Sequence, residues 1–398
     1  MQSKKNILLH DYGGYMFTYQ LAQALACDGH AVAYLYSRST QFIQRNNGDC
    51  KDEAPGQLVV EGIELSAPFR KYNYFARRAQ EMEHGRLVAQ RIVSLQPDIV
   101  ISANTPLDAQ RTIQKASRAV NARFIFWLQD AIGIATGKIL SQKIPVLGQI
   151  IGSYYCELEQ KMLHASDEVI LIDEEFHRLM KKWRIQSDKT HVIPNWAVLD
   201  QITPMNKDNE WARVHDLHDK FVFLYSGILG LKHNPAIFLH LANEYRFQKE
   251  VRVVVVAEGP GAEFLLKEKQ SQGLDNLMVL PYQSYQDFPC VLAAADVLVA
   301  ALGEDAGAYS VPSKVLSYLC AKRPILLSVP KENLAARIIE ENQAGIAASP
   351  ADPQAFLHAS KALYLNQTNR SGYAENGYGY AHNNFEIQKI LKRFEAIF

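Results

Sequence analysis

Phe221-Val222-Phe223-Leu224-Tyr225-Ser226-Gly227-Ile228-Leu229-Gly230-Leu231-Lys232-His233-Asn234 is the stretch that decides the fold. An unbroken apolar run leads into a turn with two glycines, and a helical pattern starts near Pro235. The chain opens in the same way. Asn6-Ile7-Leu8-Leu9-His10 runs into Asp11-Tyr12-Gly13-Gly14, and an amphipathic stretch with Leu21, Ala22, Leu25 and Ala26 leads to the run Ala31-Val32-Ala33-Tyr34-Leu35-Tyr36. Strand, glycine turn, helix, strand is the βαβ pattern. Further strands are expected at Asp98–Ser102, Arg123–Leu128 and Glu168–Ile172, then at Val251–Ala257, Met278–Leu280, Val297–Ala300 and Ile325–Ser328. Their hydrophobicity is continuous rather than alternating, so both sheet faces are covered by helices, as in a parallel sheet.

Between the two series the pattern breaks over residues 194–218, where Pro194, Pro204 and the polar run Lys207-Asp208-Asn209-Glu210 read as a linker. A chain of 398 residues also exceeds what one core usually supports. The expectation is an α/β protein of two tandem Rossmann-like, doubly wound lobes, 1–200 and 201–382. In open parallel sheets ligands sit outside the carboxyl ends of the strands. Two such lobes facing each other put the site in a cleft, so chemistry is sought in the loops after strands.

Composition narrows the function. Apolar residues make up 48% and charged residues 21%, which excludes a disordered chain. Lys+Arg and Asp+Glu number 42 each, which argues against a nucleic-acid binder held by bulk charge. The five cysteines contain no Cys-x-x-Cys pair, so neither a disulfide framework nor a zinc site is expected, and a reducing compartment is. The histidines show no metal spacing. Met1–Lys5 leads straight into a strand pattern and no apolar run reaches membrane-span length, so a cytoplasmic location is expected.

Four loops carry candidate chemistry. Gly13-Gly14 lets backbone approach a ligand, with a helix N-terminus behind it; a tight turn explains the pair equally well. The loop holding Gly227 and Gly230 puts Lys232 near a helix start, where a cation is better placed if an anion sits between it and the free N–H groups; the alternative is a solvated lysine. Glu258-Gly259-Pro260 makes a sharp strand exit at which Glu258 can accept hydrogen bonds from a hydroxylated ligand. In Gly303-Glu304-Asp305-Ala306-Gly307-Ala308-Tyr309-Ser310-Val311-Pro312-Ser313-Lys314, a capped helix start adds the Ser313 hydroxyl and the Lys314 cation, a seat for a pyrophosphate without a metal ion. On the other lobe Asp130 follows a strand and is placed to orient or deprotonate an acceptor hydroxyl, against a helix N-cap as the plain alternative. Asn104 lies on the same rim.

Taken in order, these pieces resemble the GT-B glycosyltransferases, in particular the retaining family 4 and its bacterial capsule, exopolysaccharide and lipopolysaccharide branch, of the colanic-acid type. The likeness rests on Trp127-Leu128-Gln129-Asp130, Val192-Ile193-Pro194-Asn195, Tyr225-Ser226-Gly227 with Lys232, Ala257-Glu258-Gly259-Pro260, Leu280-Pro281-Tyr282-Gln283 and Val311-Pro312-Ser313-Lys314 through Arg323-Pro324. It implies a nucleotide-diphosphate sugar held mainly by the C-terminal lobe and no other cofactor. Lys232 would neutralise the diphosphate, the amides near Ser313 and Lys314 would assist, Tyr282 would contact the base, and Gly13 and Gly14 would approach sugar or phosphates. A glycan or lipid-linked acceptor would lie near Asn104 and Asp130, and residues 383–398 would form the helix crossing back to the first lobe. Two positions that the family fills with glutamate are Tyr309 and Ser317 here, with Glu304 or Asp305 as replacements for the first, and an arginine often found in the donor loop is Ile228.

Those departures keep a second reading open, a non-catalytic homologue that binds a sugar nucleotide or a partner protein. A sugar-nucleotide epimerase of the same twin-lobe plan is a third, without a motif of its own. Phe69–Arg78 interleaves cations with aromatics, and Lys138–Ile151 is apolar with two lysines. Both fit a patch meeting anionic headgroups at the inner face of the cytoplasmic membrane, against a solvated loop and a core helix.

Overall fold

The computed structural model describes residues 4–39, 57–70, 73–304 and 313–398. The chain divides into two compact units, residues 1–195 with 387–398, and residues 196–386. Each is a parallel sheet flanked by helices. In the first unit β1 (Asn6–Asp11), β2 (Ala31–Ser37), β3 (Leu58–Ile63), β4 (Ile99–Ala103), β5 (Arg123–Leu128), β6 (Glu168–Leu171) and β7 (Thr190–Val192) lie in the order β3-β2-β1-β4-β5-β6-β7. In the second, β8 (Phe221–Ile228), β9 (Val251–Glu258), β10 (Leu277–Leu280), β11 (Val297–Ala301), β12 (Ile325–Ser328) and β13 (Gly345–Ala348) lie in the order β10-β9-β8-β11-β12-β13. Every pairing among these strands is parallel. The order reverses between β1 and β4 and between β8 and β11, which makes the loops after those strands the expected ligand positions.

Central strands are apolar on both faces because helices cover both. Residues Val222 to Tyr225 and Val253 to Val256 are almost wholly buried, as are Ile7 to Leu9 and Phe124 to Leu128. Three strands escape a reading of the sequence: β3, β7 and β13. All three lie at sheet edges, half-exposed, with mixed or small residues such as Gly345-Ile346-Ala347-Ala348, so no apolar run marks them.

The stretch 194–218 is a packed element of the structure rather than a solvated linker. Trp196, Ile202, Trp211 and Leu217 are buried, Glu210–Val214 is helical, and the Trp211 indole N–H donates to Gln283 Oε1 at 3.1 Å. Lys207 pairs with Asp296. Its polar residues are thus committed to the second unit, which begins at Trp196.

The last helix, Ile387–Glu395, belongs to the first unit. The preceding helix runs on to Asn384, so the final one starts a few residues after 383. Phe394 is fully buried and meets Trp127 edge-on, ring centroids 4.9 Å apart. Arg123 donates to the Ile397 carbonyl at 2.7 Å, and His30 meets Glu395 at 3.2 Å. Truncating Phe394 to Ala leaves a ring-sized void against Trp127. Urea unfolding followed by tryptophan fluorescence is expected to show a loss of about 3–5 kcal/mol.

Candidate functional site

In the first unit the loops after β1, β4 and β5 surround a cavity of about 230 Å³. Gly13, Asn104 and Asp130, three residues singled out in the sequence, all line it, together with Tyr12, Tyr15 and Trp127. Asp11, at the end of β1, builds the loop. It is fully buried and accepts from the backbone N–H of Gly13 (3.1 Å) and Tyr15 (2.7 Å) and from the Asn104 carboxamide (3.0 Å). Burial raises its pKa, and these donors pull it back down. The Gly14 N–H closes onto the Asp11 carbonyl at 3.1 Å, with Gly14 in the left-handed region at φ 64°. The Gly13 amide is thus bonded to the Asp11 carboxylate and the Gly14 amide to the Asp11 carbonyl.

Under this loop lies a buried polar layer. His10 Nδ1 is 3.0 Å from the Ser102 hydroxyl and 3.2 Å from that of Thr105, while His10 Nε2 meets His84 Nε2 at 2.9 Å. The Ser102 hydroxyl donates to Gln110 Oε1 (2.6 Å) and that of Thr105 to the Ala103 carbonyl (2.7 Å). With both hydroxyl protons committed, His10 Nδ1 is the donor and Nε2 accepts from His84. Burial lowers the pKa of both rings, that of His84 to about 3, so the pair is neutral near pH 7.

Asp130 sits exposed on the cavity rim and does not cap the helix Ile132–Lys143. That role falls to Glu159, a fully buried carboxylate from the next helix that accepts the N–H of Ile132 and of Gly133, each at 3.0 Å. Asp130 itself lines the cavity rim. Its neighbour Gln129 exchanges amide hydrogen bonds with Asn195, the Gln129 N–H donating at 3.1 Å, which ties the β5 loop to the segment after β7.

In the second unit Gly227, Lys232, Glu258, Gly259 and Glu304 all lie at or just past the carboxyl ends of β8, β9 and β11, and Lys314 joins them from the helix Ser313–Cys320. The loops are tied to one another by backbone: Leu229 N–H to the Glu258 carbonyl (2.9 Å), Gly261 N–H to Leu229 (2.8 Å) and Gly303 N–H to Lys232 (2.8 Å). The buried Tyr318 hydroxyl accepts from Ser226 N–H at 2.9 Å and fixes that helix against the end of β8. Lys314, half-buried, lies with its ammonium 4.9 Å from the centre of the Tyr225 ring. Gly227, at φ 140°, leaves room for it, since a Cβ there would come within 3.0 Å of Lys314 Cε. Burial and then the nearby Lys232 push Lys314 down to about 8, and His233 is pushed to about 4 by burial, Lys314 and Lys232. Among the described residues no carboxylate pairs with either lysine, so two cations meet at one strand end. Glu258 and Glu304 are exposed at their loop ends, and Tyr282 is half-buried in the vicinity of Tyr318. The Ser313 side chain, Asp305, Tyr309 and Pro312 lie outside the described residues.

Sequence reasoning missed Asp11, Thr18, Glu159 and Tyr318. Asp11 and Tyr318 were legible only as a strand end and a helix interior; their roles come from contacts across the sheet. Asp28, His30 and Glu395 form one acidic cluster with metal-like spacing. His30 Nδ1 accepts from Lys5 N–H at 3.1 Å, so its Nε2 carries a proton toward Glu395, and Asp28 pairs with Lys4; an ion-pair cluster accounts for it.

Burial raises Glu159 to about 8, against 4.5 for an ordinary glutamate. Below about pH 4.5 it is neutral whether folded or not; as pH rises to 8 only the unfolded chain ionises freely, so its contribution turns destabilising. Thermal unfolding from pH 5 to 8.5 should show wild type losing stability relative to Glu159→Gln, by on the order of 2–4 kcal/mol at 25 °C.

Residues 220–366 match the family model of group 1 glycosyl transferases. The chain is 26% identical over 243 residues to the putative colanic acid biosynthesis glycosyl transferase WcaI of Escherichia coli K12, a match covering 58% of this chain and 57% of that protein. It therefore spans little more than half the length of that relative. Among solved structures, HepE of Anabaena in complex with UDP-glucose superposes with a TM-score of 0.73 at 14% identity, covering 98% of each chain. WaaG, a glycosyltransferase involved in lipopolysaccharide biosynthesis, gives a TM-score of 0.69 at 15% identity, covering 97% of this chain and 98% of that one. Likeness at such identity speaks for the fold alone, while the family match covers the unit that carries Lys232 and Lys314. With two doubly wound sheets and this match on the second of them, the chain has the GT-B fold, and residues 220–366 are similar to the group 1 glycosyl transferases.

Proposed function

We propose that the chain transfers a hexose from a nucleotide-diphosphate sugar to a glycan or lipid-linked acceptor, with retention at the anomeric carbon and without a metal ion, in the synthesis of cell-surface polysaccharide. The observation that carries this reading is the placement of Lys314 beside Lys232 with no counter-charge among the described residues. An ammonium that is half-buried and next to another cation gains most when a dianion arrives. In the reaction the acceptor oxygen bonds to the anomeric carbon, the bond from that carbon to the diphosphate oxygen breaks, and its electron pair leaves on the diphosphate. Lys232 and Lys314 stabilise the charge developing there. The acceptor proton passes to Asp130, or to the departing phosphate oxygen. The UDP-glucose held by HepE and the polysaccharide and lipopolysaccharide settings of WcaI and WaaG support the donor class and the biological role.

Lys314 near 8 gives the donor site a pH signature. Binding a diphosphate raises its pKa, so above pH 8 binding takes up a proton, and affinity falls as pH rises through that value. Calorimetry with UDP, GDP and dTDP sugars, in buffers of different ionisation enthalpy, should show that uptake for at least one donor. Lys314→Met is expected to weaken binding at least about tenfold, the cost of one charge-assisted contact. Thermal stability should be kept or raised, because a desolvated cation is removed. No binding by any donor, or unchanged affinity in the variant, sinks the reading. The absence of glutamate at Tyr309 and Ser317 favours the non-catalytic alternative, under which Lys232→Ala leaves the cellular phenotype intact; a transferase loses it.

A peripheral position at the inner face of the cytoplasmic membrane belongs to the same proposal. On the helices Ile132–Lys143 and Pro145–Ala165 and at the residue between them, Ile139, Ile144, Val146, Leu147 and Ile150 are exposed, Val146 by 75%. Exposed Tyr74 and Phe75 open the neighbouring helix, whose Arg78 shares Asp108 with the Tyr155 hydroxyl, so both segments singled out in the sequence lie on one unit. No helix among the described residues is long and apolar enough to cross a membrane. Sedimentation with phosphatidylglycerol vesicles at low salt should carry the protein down, and Val146→Ser with Ile150→Ser should leave it in the supernatant. A wild-type protein that stays in the supernatant overturns this part.

A further inference from the structure

The second unit carries a groove away from its strand-end loops. The helix Leu334–Glu341 runs from the carboxyl end of β12 back to the amino end of β13, so its last turn lies at the opposite end of the sheet from Lys232 and Lys314. There it borders, with the helix Gln367–Asn384, a groove of about 450 Å³ that lies wholly within residues 196–386. The walls carry five carboxamides, the carboxyl groups of Glu341 and Glu375, and no lysine, arginine or histidine among the described residues.

Three of those amides are fixed in orientation. The NH2 groups of Asn342, Asn376 and Asn384 donate to the backbone carbonyls of Ile338 (2.9 Å), Gln343 (3.2 Å) and Tyr380 (2.8 Å). A nitrogen held by a carbonyl settles which atom of the amide is which, and the oxygen is left over as an acceptor. Glu375 is neutralised by Lys322 at 2.7 Å, whereas Glu341 is exposed at the groove. Such walls are rich in acceptors and suit a ligand that brings many donors and no negative charge. Sugar hydroxyls answer that description.

The second helix makes room for such a ligand. Glycine is the poorest helix former after proline, yet Gln367–Asn384 contains Gly372, Gly377 and Gly379. Gly377 has a packing reason, since a Cβ there would come within 3.2 Å of Ala344 and of Leu319. Gly372 and Gly379 have none: nothing lies within 4 Å of where their Cβ would be. Both share a helix face with Asn376 and Asn383, at spacings of four, seven and eleven from Gly372, and Gly379 lines the groove itself. A bare turn between carboxamides lets a ring rest against the backbone.

We propose that this groove is a second carbohydrate site, which takes a neutral, hydroxyl-rich segment of polysaccharide at the end of the sheet opposite the donor loops. The oxygens of Asn342, Asn376, Asn384 and Glu341 accept its hydroxyl protons, and Gly379 admits it to the helix surface. Holding a remote stretch of glycan keeps the protein at its polymer by raising the local concentration of chain ends. The site goes beyond the transferase reading and acts without transfer chemistry.

Native gels containing dextran, pullulan, mannan or galactomannan, with alginate as the polyanionic control, test it by affinity electrophoresis. At least one neutral polymer should slow the wild-type protein, and alginate should not. Gly379→Gln places a better helix former into open space, so its thermal stability should be kept or raised while its affinity for the polymer falls about tenfold, the loss of roughly one contact. Lys314→Met, altered only at the donor loops, should be slowed as wild type is. The proposal is overturned if no neutral polymer slows the wild type, if alginate slows it equally, if Gly379→Gln is slowed as much as wild type, or if Lys314→Met abolishes the effect. The gels contain no nucleotide, so a failure here is distinct from failure of the donor-binding reading.

Discussion

A half-buried lysine with another lysine for a neighbour is a costly arrangement, and much of the second unit exists to maintain it. Lys314 keeps its ammonium over the Tyr225 ring because Tyr318, on the next turn of the same helix, is hydrogen-bonded to the Ser226 peptide at the end of β8. Gly227 is bare at the point where the lysine stem passes. Lys232 is held near it through the backbone bond between its carbonyl and Gly303. None of these contacts neutralises charge. They hold two cations where burial and then their mutual repulsion lower the pKa of Lys314.

The first unit reaches the opposite electrostatic end with the same scaffold. Its β1 loop, like its β8 counterpart, joins a central strand to a helix through glycine, yet the strand ends in Asp11 where β8 ends in Gly227-Ile228. The carboxylate at that position bonds the Gly13 and Tyr15 amides and the Thr18 hydroxyl. A glycine leaves space that a lysine from another helix fills. The neutral His10–His84 pair and the hydroxyls of Ser102 and Thr105 complete a floor that is polar but carries no cation.

The central strands were legible because burial on both faces leaves an unbroken apolar run, and Arg123–Leu128 and Ile325–Ser328 fall where the runs place them. The edge strands β3, β7 and β13 were not, since half-exposed strands have no such run. The stretch 194–218 reads as a linker by its prolines and charges, although Trp196, Trp211 and Leu217 are in the core; isolated large residues among polar ones carry no periodicity. At the candidate sites the sequence marks what is chemically conspicuous in a loop, such as Asp130, Lys232 and Lys314. It does not mark Asp11, Glu159 or Tyr318, whose partners are set by packing across the sheet rather than by spacing along the chain.

Glu159 shows how far such hidden partners shape the chemistry of the residues that are visible. By taking the N–H groups of Ile132 and Gly133, it removes the ordinary structural employment of an aspartate placed just before a helix. Asp130, just before that helix, lines the rim of the cavity. Glu159 is itself largely protonated at neutral pH, because burial and the nearby Asp130 charge both oppose its ionisation. The burial that makes Glu159 a neutral cap therefore also keeps a second negative charge away from Asp130.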